Sequence, residues 1–566
     1  HKFESCTAHR LTRYSRGAFF IQEAPHHLPS DRHFPSEPMT PYFRTSLLAV
    51  LAAAPLAAQQ PAAQPGAAAC TIEFDQPKEL LTHYTISRAK IIQMPVGDDR
   101  AKLLRDVMKS LGSPKVAAAN PQGTNLFAGQ MLIAWLMQPN FGPTATRAQL
   151  NYGEPKDATI DLARTADSLF SIIEKEQPGC STETAPWRAA KPWLDRINAA
   201  LRLASTNPDS AELMANASLI LNRSAPYAER VLASVAQSRN DQLGMLKHLE
   251  AALALTANDT IYADDRRSVQ FQIGQVSLEA AEKQPEPART EILRRGVAAM
   301  IALATESPGA EVTPYALTGL GIAASSLKDS TFFTKCFEMV DAAVAAYNDL
   351  STLQAAVCAS RNGKTADAVR MFQATLAKNP NSRDALYNAA ALLYELRKGT
   401  EMLPLVTRLV ELDPSNPDNV SLFAYAYNVL NEQSKPAAVV APSTQPGAKP
   451  STAKPAAAPA PVPVAPAEKW VDSVTKYMKL SDEMPHRVQM TEFTRFAEKA
   501  TLNGDIENRG KAAKTYTLEV EFLDLAGAVL DKQTATVGPV DPSKLGSFAL
   551  TSNKPKIVAW RYAPLK

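Results

Sequence analysis

The sequence predicts a multidomain chain, an α-helical solenoid followed by a small antiparallel β-sandwich, because the spacing of its apolar residues changes once. Between residues 77 and 432 they recur at intervals of three and four, and alanine is abundant, which favours helices. After Met484 they alternate with polar residues, which is typical of strands with one buried face. A Pro/Ala-rich segment at 433–468 separates the two regions.

The stretch that begins at Met39 has the layout of a secretory signal peptide. Arg44 supplies one positive charge, an apolar run of twelve residues follows from Ser46 to Ala57, and small residues stand before Gln59. Because a helix needs about 20 residues to span a bilayer, this run is too short for a membrane anchor; the alternative is a buried core helix. We interpret 39–58 as the signal peptide and 59–76 as a Gln/Pro/Ala-rich linker.

The segment 1–38 shows neither a helical nor a strand period. It holds five of the eight histidines, of which His26 and His27 form an adjacent pair. We interpret 1–38 as upstream sequence translated from a misplaced start. The alternatives are a disordered arm and, less favoured, a metal-binding tail.

Charge and hydropathy exclude two classes of partner. Lys and Arg total 60 against 57 for Asp and Glu, a formal net charge of +3, so no strong basic field is available to hold nucleic acid. After the signal peptide, residues 126–137 come nearest to a membrane span, but they are too few and include Gln130. We expect a buried helix there and no integral membrane segment.

Two segments near the end of the helical region repeat one pattern. Residues 349–380 and 383–414 each indicate helix, turn and helix, closed by Asn-Pro or Asp-Pro, and Pro380 and Pro414 mark a repeat period of about 34 residues. The positions where paired helices touch, or where they turn, are occupied by Ala356, Gly363, Ala368 and Phe372 in the first segment and by Ala390 and Gly399 in the second. In the second segment Met402 and Val406 replace the small and large residues of the second helix.

These segments, 349–414, resemble tetratricopeptide repeats (TPRs). The resemblance implies a TPR-like solenoid over 77–432, with 416–430 as a terminal cap helix. It weakens upstream, where we interpret 314–347 as a degenerate repeat. The alternative is a generic helical array, which exposes a similar concave surface.

The Pro/Ala-rich segment 433–468 contains nine prolines, which favours extended polyproline II. Fully extended, it would reach on the order of 100 Å at ~3.1 Å per residue. We expect a semi-stiff spacer between independent modules, and the alternative is a Pro-rich ligand. Residues 469–484 then predict a short amphipathic helix with Trp470 and Tyr477 on one side.

Alternating strands fill most of 485–566. In "TYTLEVEFLD" one face carries Tyr516, Leu518, Val520 and Phe522, and short strands at this spacing predict an antiparallel sandwich. The region also carries Asn508, Phe522, Asp524, Gly527 and Phe548. With these residues it resembles the FxLyD-type immunoglobulin-like domains of bacterial envelope proteins, in which they fall at matching positions. The resemblance implies an immunoglobulin-like sandwich and brings no catalytic residues.

No pattern for catalysis, cofactor binding or metal binding stands out. After the signal peptide only His83, His248 and His486 remain, far apart in sequence, and there is no Cys-x-x-Cys, Walker A or dinucleotide fingerprint. Ser87 and Lys90 match Ser-x-x-Lys, but the partner motifs are missing, so we attribute the match to chance. We therefore predict no enzyme, no cofactor and no metal.

Four cysteines follow the signal peptide, and an even number in an exported protein permits two disulfides with three connectivities. Cys336 and Cys358 lie at equal distances along the chain on either side of position 347, so two antiparallel helices would bring them to the same height. A bridge there would stabilise the fold by roughly 3 kcal/mol and leave Cys70 and Cys180 to pair. The alternatives are buried free thiols and, for Cys70, a lipid anchor.

Together these patterns predict an exported, non-enzymatic scaffold of the bacterial envelope, periplasmic or extracellular, that binds protein or peptide partners along the concave face of its repeats. The alternative is a cell-wall- or carbohydrate-binding protein that uses the sandwich. An enzyme hidden between Thr71 and Ala204 is a third, less favoured hypothesis. Trp560 and Tyr562 alternate with an apolar set, which favours core positions over a sugar-binding face.

We expect the mature chain to begin near Gln59, because charged, apolar and small residues follow one another from Met39. N-terminal sequencing of exported protein checks this. A cytoplasmic protein that still carries residues 1–38 would contradict it.

Overall fold

The computed structural model describes residues 69–139, 141–257, 260–434, 468–496 and 498–565. The predicted signal peptide and nearly all of the Pro/Ala-rich segment lie outside them. Internal contacts divide the described residues into two compact units, one that ends at residue 303 and one that begins at residue 304. The boundary falls within the helical region, so the clear repeats share a unit with the strands.

The first unit is a helical array that starts at Lys78 and carries one short β-ribbon, β1 (Thr144–Thr146) paired antiparallel with β2 (Thr159–Asp161). Its α-helices are α1 Lys78–Thr82, α2 Arg88–Gln93, α3 Asp98–Leu111, α4 Pro114–Ala119, α5 Pro121–Leu136, α6 Arg147–Leu150, α7 Leu162–Glu176, α8 Ser181–Arg188, α9 Lys191–Leu203, α10 Pro208–Leu221, α11 Tyr227–Ser238, α12 Gln242–Thr256, α13 Ala263–Glu282 and α14 Ala288–Glu306. A π-helical turn, His83–Ser87, joins α1 to α2.

Helix α5 forms the centre of the first unit. It begins after Asn120, whose side chain accepts a hydrogen bond from the Gly123 N–H and so caps the helix. From Leu126 to Trp135 every side chain is buried, as the sequence predicts. Within the described ranges, no helix is both long and apolar enough to cross a membrane.

The N-terminal segment of the first unit is tied to this core. Cys70 forms a disulfide with Cys180, with Cα atoms 4.4 Å apart, so its sulfur is not free to carry a lipid. Gln177 accepts hydrogen bonds from the Thr71 amide and hydroxyl. Asn120 donates to the carbonyls of Glu73 and Gln76, which fixes the extended segment before α1.

The second unit continues with a succession of helix pairs. They are α15 Thr313–Leu327, α16 Thr331–Asp341, α17 Asp349–Arg361, α18 Thr365–Lys378, α19 Arg383–Glu395, α20 Gly399–Leu412, α21 Pro417–Ser434 and α22 Glu468–Glu483. Helix α19 begins and ends one repeat period after α17, and α20 begins and ends one repeat period after α18. The repeat period is the interval between Pro380 and Pro414. The TPR-like repeat is therefore present in the structure as well as in the sequence.

Left-handed residues mark the corners between paired helices. Lys328, Gly363 and Arg397 have φ of 53°, 72° and 59° at the three successive corners of the second unit. Gly363 meets this requirement without strain. At the next corner it is Arg397, two residues before Gly399, that is left-handed.

Helix α21 is not the terminal cap that the sequence predicts. Helix α22 packs on it through a ladder of rings: Tyr427 stacks on Trp470 and Tyr477, with centroids 5.4 and 5.7 Å apart, and Phe423 stacks on Tyr477 at 4.6 Å. Residue numbers rise along one helix as they fall along the other, so the two run antiparallel. Together α21 and α22 form the fourth helix pair of the second unit, interrupted by the Pro/Ala-rich segment.

The strands of the second unit form two antiparallel sheets of three, ordered β3-β4-β7 and β6-β5-β8. The strands are β3 His486–Phe496, β4 Lys499–Asn508, β5 Lys514–Leu523, β6 Val529–Val540, β7 Leu545–Ser552 and β8 Ala559–Tyr562. The predicted core face of β5 is buried throughout, from Tyr516 to Phe522. On β4, a Cβ at Gly504 would lie 2.6 Å from the Phe548 ring, so the sheets need glycine there.

The sandwich is not an independent module. Leu523 and Ala559 of the sandwich are buried in one cluster with Leu386, Leu409 and Leu412 of the repeats. The expectation of two freely tethered modules is therefore wrong. The composition of the Pro/Ala-rich segment indicates a spacer, but it carries no information on where the sandwich packs. The Pro/Ala-rich segment is an insertion within a helix pair.

We expect cleavage within 435–467 to leave the two fragments together, because α22 remains packed on α21 and the sandwich on the repeats. A protease site placed at residue 450 and size-exclusion chromatography under native conditions measure this. Tyr427→Ala combined with Tyr477→Ala removes the ring ladder and should lower the denaturant concentration at which the fragments part. Fragments of the unsubstituted chain that elute separately without denaturant would contradict the expectation.

Candidate protein-binding surface

The small residues that the repeat pattern singles out lie between helices. Ala356 of α17 and Ala390 of α19 have no exposed surface, and neither do Ala368 and Phe372 of α18. Met402 and Val406 occupy the corresponding places of α20 and are equally buried. Pro380 and Pro414 lie in the turns that follow α18 and α20. These positions fix the spacing between helices, and outward side chains on the helix that comes first in each pair stay partly exposed.

Gly399 serves packing and not the turn. A Cβ on this residue would lie 2.8 Å from the carbonyl oxygen of Ala426 and 3.2 Å from the Cβ of Val429. Its place at the start of α20 therefore lets α21 approach closely. Gly363, which the sequence places at the equivalent point, has open space around it, since no atom lies within 4 Å of such a Cβ. Glycine is favoured there because the backbone has a left-handed φ.

A disulfide links the pair α15–α16 to the first clear repeat. Cys336 of α16 and Cys358 of α17 are bonded, with Cα atoms 6.2 Å apart, and both side chains are buried. This is the pairing predicted from two antiparallel helices meeting near Asn348. Asn348 ends the turn by capping α17, since its side chain accepts from the Ser351 N–H at 2.8 Å.

In each pair of the second unit, the helix that comes first along the chain is the first helix. One side of these first helices keeps partly exposed side chains. We name it the first-helix face and define it by Gln354, Val357 and Arg361 of α17, Asn388, Ala391 and Tyr394 of α19, and Tyr425 and Asn428 of α21. Contacts join neighbouring first helices along this face. Arg361 donates to Ser325 Oγ of α15 at 3.3 Å, and the rings of Tyr394 and Tyr425 lie 5.5 Å apart.

The first-helix face is polar but nearly uncharged. Carboxamides, phenol rings and short aliphatic side chains dominate it, and Arg361 is its one charged member. Burial raises the pKa of Tyr394, so its hydroxyl remains a hydrogen-bond donor at neutral pH. Such a surface offers rings to stack on and groups that pair with a peptide backbone. Gln354 and Asn388 stand one repeat period apart, so the period could have identified them from the sequence.

The sequence singles out no catalytic or metal-binding residues. In the described part of the chain, no group of three or more His, Cys, Asp or Glu side chains is placed to hold a metal ion. The histidines have local partners: His83 bonds to Ser87 and Ser110, His248 to Glu229, and His486 meets the Tyr516 ring edge-on. Ser87, of the Ser-x-x-Lys match, is buried against His83, whereas Lys90 is exposed.

Trp560 and Tyr562 of the sandwich are not available as a sugar-binding face. Trp560 and Tyr562 are 4 % and 3 % exposed, which places them in the core as the alternation predicts. An open groove of about 440 Å³ lies where β6 ends and β7 begins. Its lining contains no aromatic residue and consists of Thr536, Val537, Gly538, Pro539, Val540, Asp541, Lys544, Leu545, Gly546 and Ser547.

No protein-family model matches the chain, and no curated protein matches it in sequence. Among solved structures, it is similar to YrrB, a TPR protein described as having an unusual peptide-binding site, at 17 % identity over 43 % of this chain and 90 % of that one, with a TM-score of 0.20. It is also similar to pilF of Pseudomonas aeruginosa, at 16 % identity over 43 % and 88 % of the two chains, with a TM-score of 0.21. The assignment of TPR-like repeats rests on the helix pairs themselves.

We expect Gly399→Ala to destabilise the second unit by about 1–3 kcal/mol, because its new methyl group meets backbone in a packed core. Gly321→Ala is the matched control: its Cβ would contact Phe333 and Cys358 at 3.8 and 3.9 Å, so the gain in helix propensity, about 1 kcal/mol, should dominate. Denaturant unfolding of the full chain measures both. A stabilising Gly399→Ala would contradict close packing at α21.

Proposed function

We propose that this protein is an exported, non-enzymatic scaffold that binds protein or peptide partners through the first-helix face. The supporting observation is that face itself: a row of carboxamides and tyrosines on successive first helices, held at fixed spacing by buried alanines and glycine. Tyrosine is enriched where proteins bind one another, since its ring gives a large contact area and its hydroxyl a hydrogen bond.

The proposed address is the bacterial envelope. The signal-peptide pattern at 39–58 supports export, and so do the disulfides Cys70–Cys180 and Cys336–Cys358, because such bonds persist in oxidising compartments and are rare in the cytosol. The resemblance of 485–566 to FxLyD-type immunoglobulin-like domains points to the same address. We propose that residues 485–566 form a domain of this type.

The uncharged character of the face favours an uncharged extended segment as the partner. A strongly acidic or basic peptide would have to give up its hydration against a face on which Arg361 is the one charged group. The alternative, a carbohydrate-binding sandwich, receives less support, because Trp560 and Tyr562 are buried and the groove near Leu545 has no ring.

Affinity capture from envelope extracts with the disulfide-bonded chain tests the proposal. We expect Gln354→Ala combined with Asn388→Ala to reduce recovery of the captured partner by about ten-fold or more, which corresponds to roughly 1.4 kcal/mol. Ala366→Ser combined with Thr400→Ala is the control, since both residues lie on second helices, away from the first-helix face. Thermal unfolding confirms that each variant is folded. A partner recovered equally by both variants does not use the first-helix face.

A further inference from the structure

Three successive turns connect one helix pair to the next in the second unit, and the structure fixes each of them. We name them junction 1 (342–348, between α16 and α17), junction 2 (379–382, between α18 and α19) and junction 3 (413–416, between α20 and α21). In a helical solenoid these turns are where the rotation from pair to pair is set, and small rotations per repeat determine the curvature of the binding surface.

Junction 1 is bridged covalently. The Cys336–Cys358 disulfide joins α16 to α17 from either side of this turn. Tyr347, within the turn, is 5 % exposed and its hydroxyl donates to the carbonyl oxygen of Ala304 at 2.9 Å. The disulfide therefore joins the first two helix pairs of the unit covalently.

Junction 2 is held by the sandwich. The Asn379 side-chain amide donates to Asp349 Oδ2 at 2.8 Å and to the Val558 carbonyl at 3.1 Å. From the end of β3, Arg495 pairs with the same Asp349 and donates to the same Val558 carbonyl. Asn379 is 2 % exposed. One buried group of the turn thus bonds at once to its own repeat and to the sandwich.

Junction 3 is held in the same manner by a different strand. The Tyr562 hydroxyl of β8 donates to the Asp413 carboxylate and accepts from the Ser415 N–H. Burial, together with the Asp413 charge, raises the pKa of Tyr562, so the hydroxyl stays protonated. Ser415 also bonds through its carbonyl to the Val488 N–H and through its Oγ to the Leu565 N–H.

Strand β3 therefore reaches along several repeats. Near its start Arg487 pairs with Asp418 in the first turn of α21. At its end Arg495 pairs with Asp349 in the first turn of α17, and Phe496 stacks on Tyr315 of α15 at 5.2 Å. A single strand thus contacts the starts of first helices that belong to three different pairs.

We propose that the β-sandwich is an internal brace that holds junctions 2 and 3 at one angle, as the disulfide holds junction 1, and so pre-organises the first-helix face. The purpose that we give to the brace rests on the proposed function, in which the first-helix face binds a partner. A surface already held in its binding conformation avoids the ordering cost that a flexible array would meet on association. The contacts are with the turns themselves, through polar atoms buried where only a matched partner satisfies them.

Tyr562→Phe in the full, disulfide-bonded chain tests the brace. Hydrogen exchange followed by mass spectrometry should show amides of 413–416 exchanging roughly ten-fold faster, the loss expected for one hydrogen bond to a charged group. At junction 2, spin labels carried by unnatural amino acids at Ala366 of α18 and Thr400 of α20 should give a broader distance distribution in Arg495→Gln than in the unsubstituted chain, because this junction lies between the two labels.

Tyr516→Phe is the matched control, because it removes a buried hydroxyl of the same sandwich that has no partner among the described residues. It should leave exchange at 413–416 and the label distances unchanged. Protection of the β5 amides in the same experiment shows whether the sandwich is still folded. If it is folded, and Tyr562→Phe leaves exchange at 413–416 unchanged while Arg495→Gln leaves the label distances unchanged, the brace is overturned. The measurement needs no partner, so it is independent of whether the first-helix face binds one.

Discussion

Asp413 has no exposed surface, and the C-terminal half of the chain is arranged around the need to satisfy its carboxylate. A buried charge is costly unless it is paired and hydrogen-bonded. Arg383 and Asn416 approach Asp413 Oδ2 from the repeats, and Tyr562 approaches Oδ1 from the sandwich. Among the described residues, Oδ1 takes its hydrogen bond from the sandwich and Oδ2 takes its bonds from the repeats, so the carboxylate joins the two parts.

The packing of the sandwich on the repeats also covers edge strands of the sandwich. Two three-stranded sheets leave four edge strands, and unpaired edges invite association with other chains. On one side the edges β6 and β7 lie against each other: a Cβ at Gly546 would sit 2.5 Å from Val537, and Ser552 donates to Asp531 at 2.5 Å. On the other side β3 and β8 carry the groups that meet junctions 2 and 3. The repeats thus cover the side that the sandwich leaves open.

The helical repeats were predictable from the sequence because their determinants are local. The repeat spacing, the buried alanines and the Asn-Pro and Asp-Pro turns all lie within a short stretch, and the structure has helices of matching bounds. Strand β3 was harder to identify, since a bulge between Met490 and Glu492 breaks its alternation of apolar and polar residues.

The docking of the sandwich and the pairing of α21 with α22 had no comparable sequence signal. They depend on single polar side chains and rings far apart along the chain, and a Pro/Ala-rich segment has the same composition whether it separates two modules or interrupts one helix pair. The partner surface was predictable only in kind. Its members Gln354 and Asn388 follow the repeat period, whereas the meeting of Tyr394 with Tyr425 depends on how two helices happen to cross.

The distance along the chain between Asp413 and Tyr562, 149 residues, has a consequence for how the protein is made. Synthesis proceeds from the N-terminus, so the repeats emerge long before the strand that completes them. Contacts between residues so distant in sequence form slowly, because the entropy of closing the intervening loop must be overcome first. During that interval the open end of the array exposes apolar surface, and the growing chain is vulnerable to aggregation until its last strand arrives.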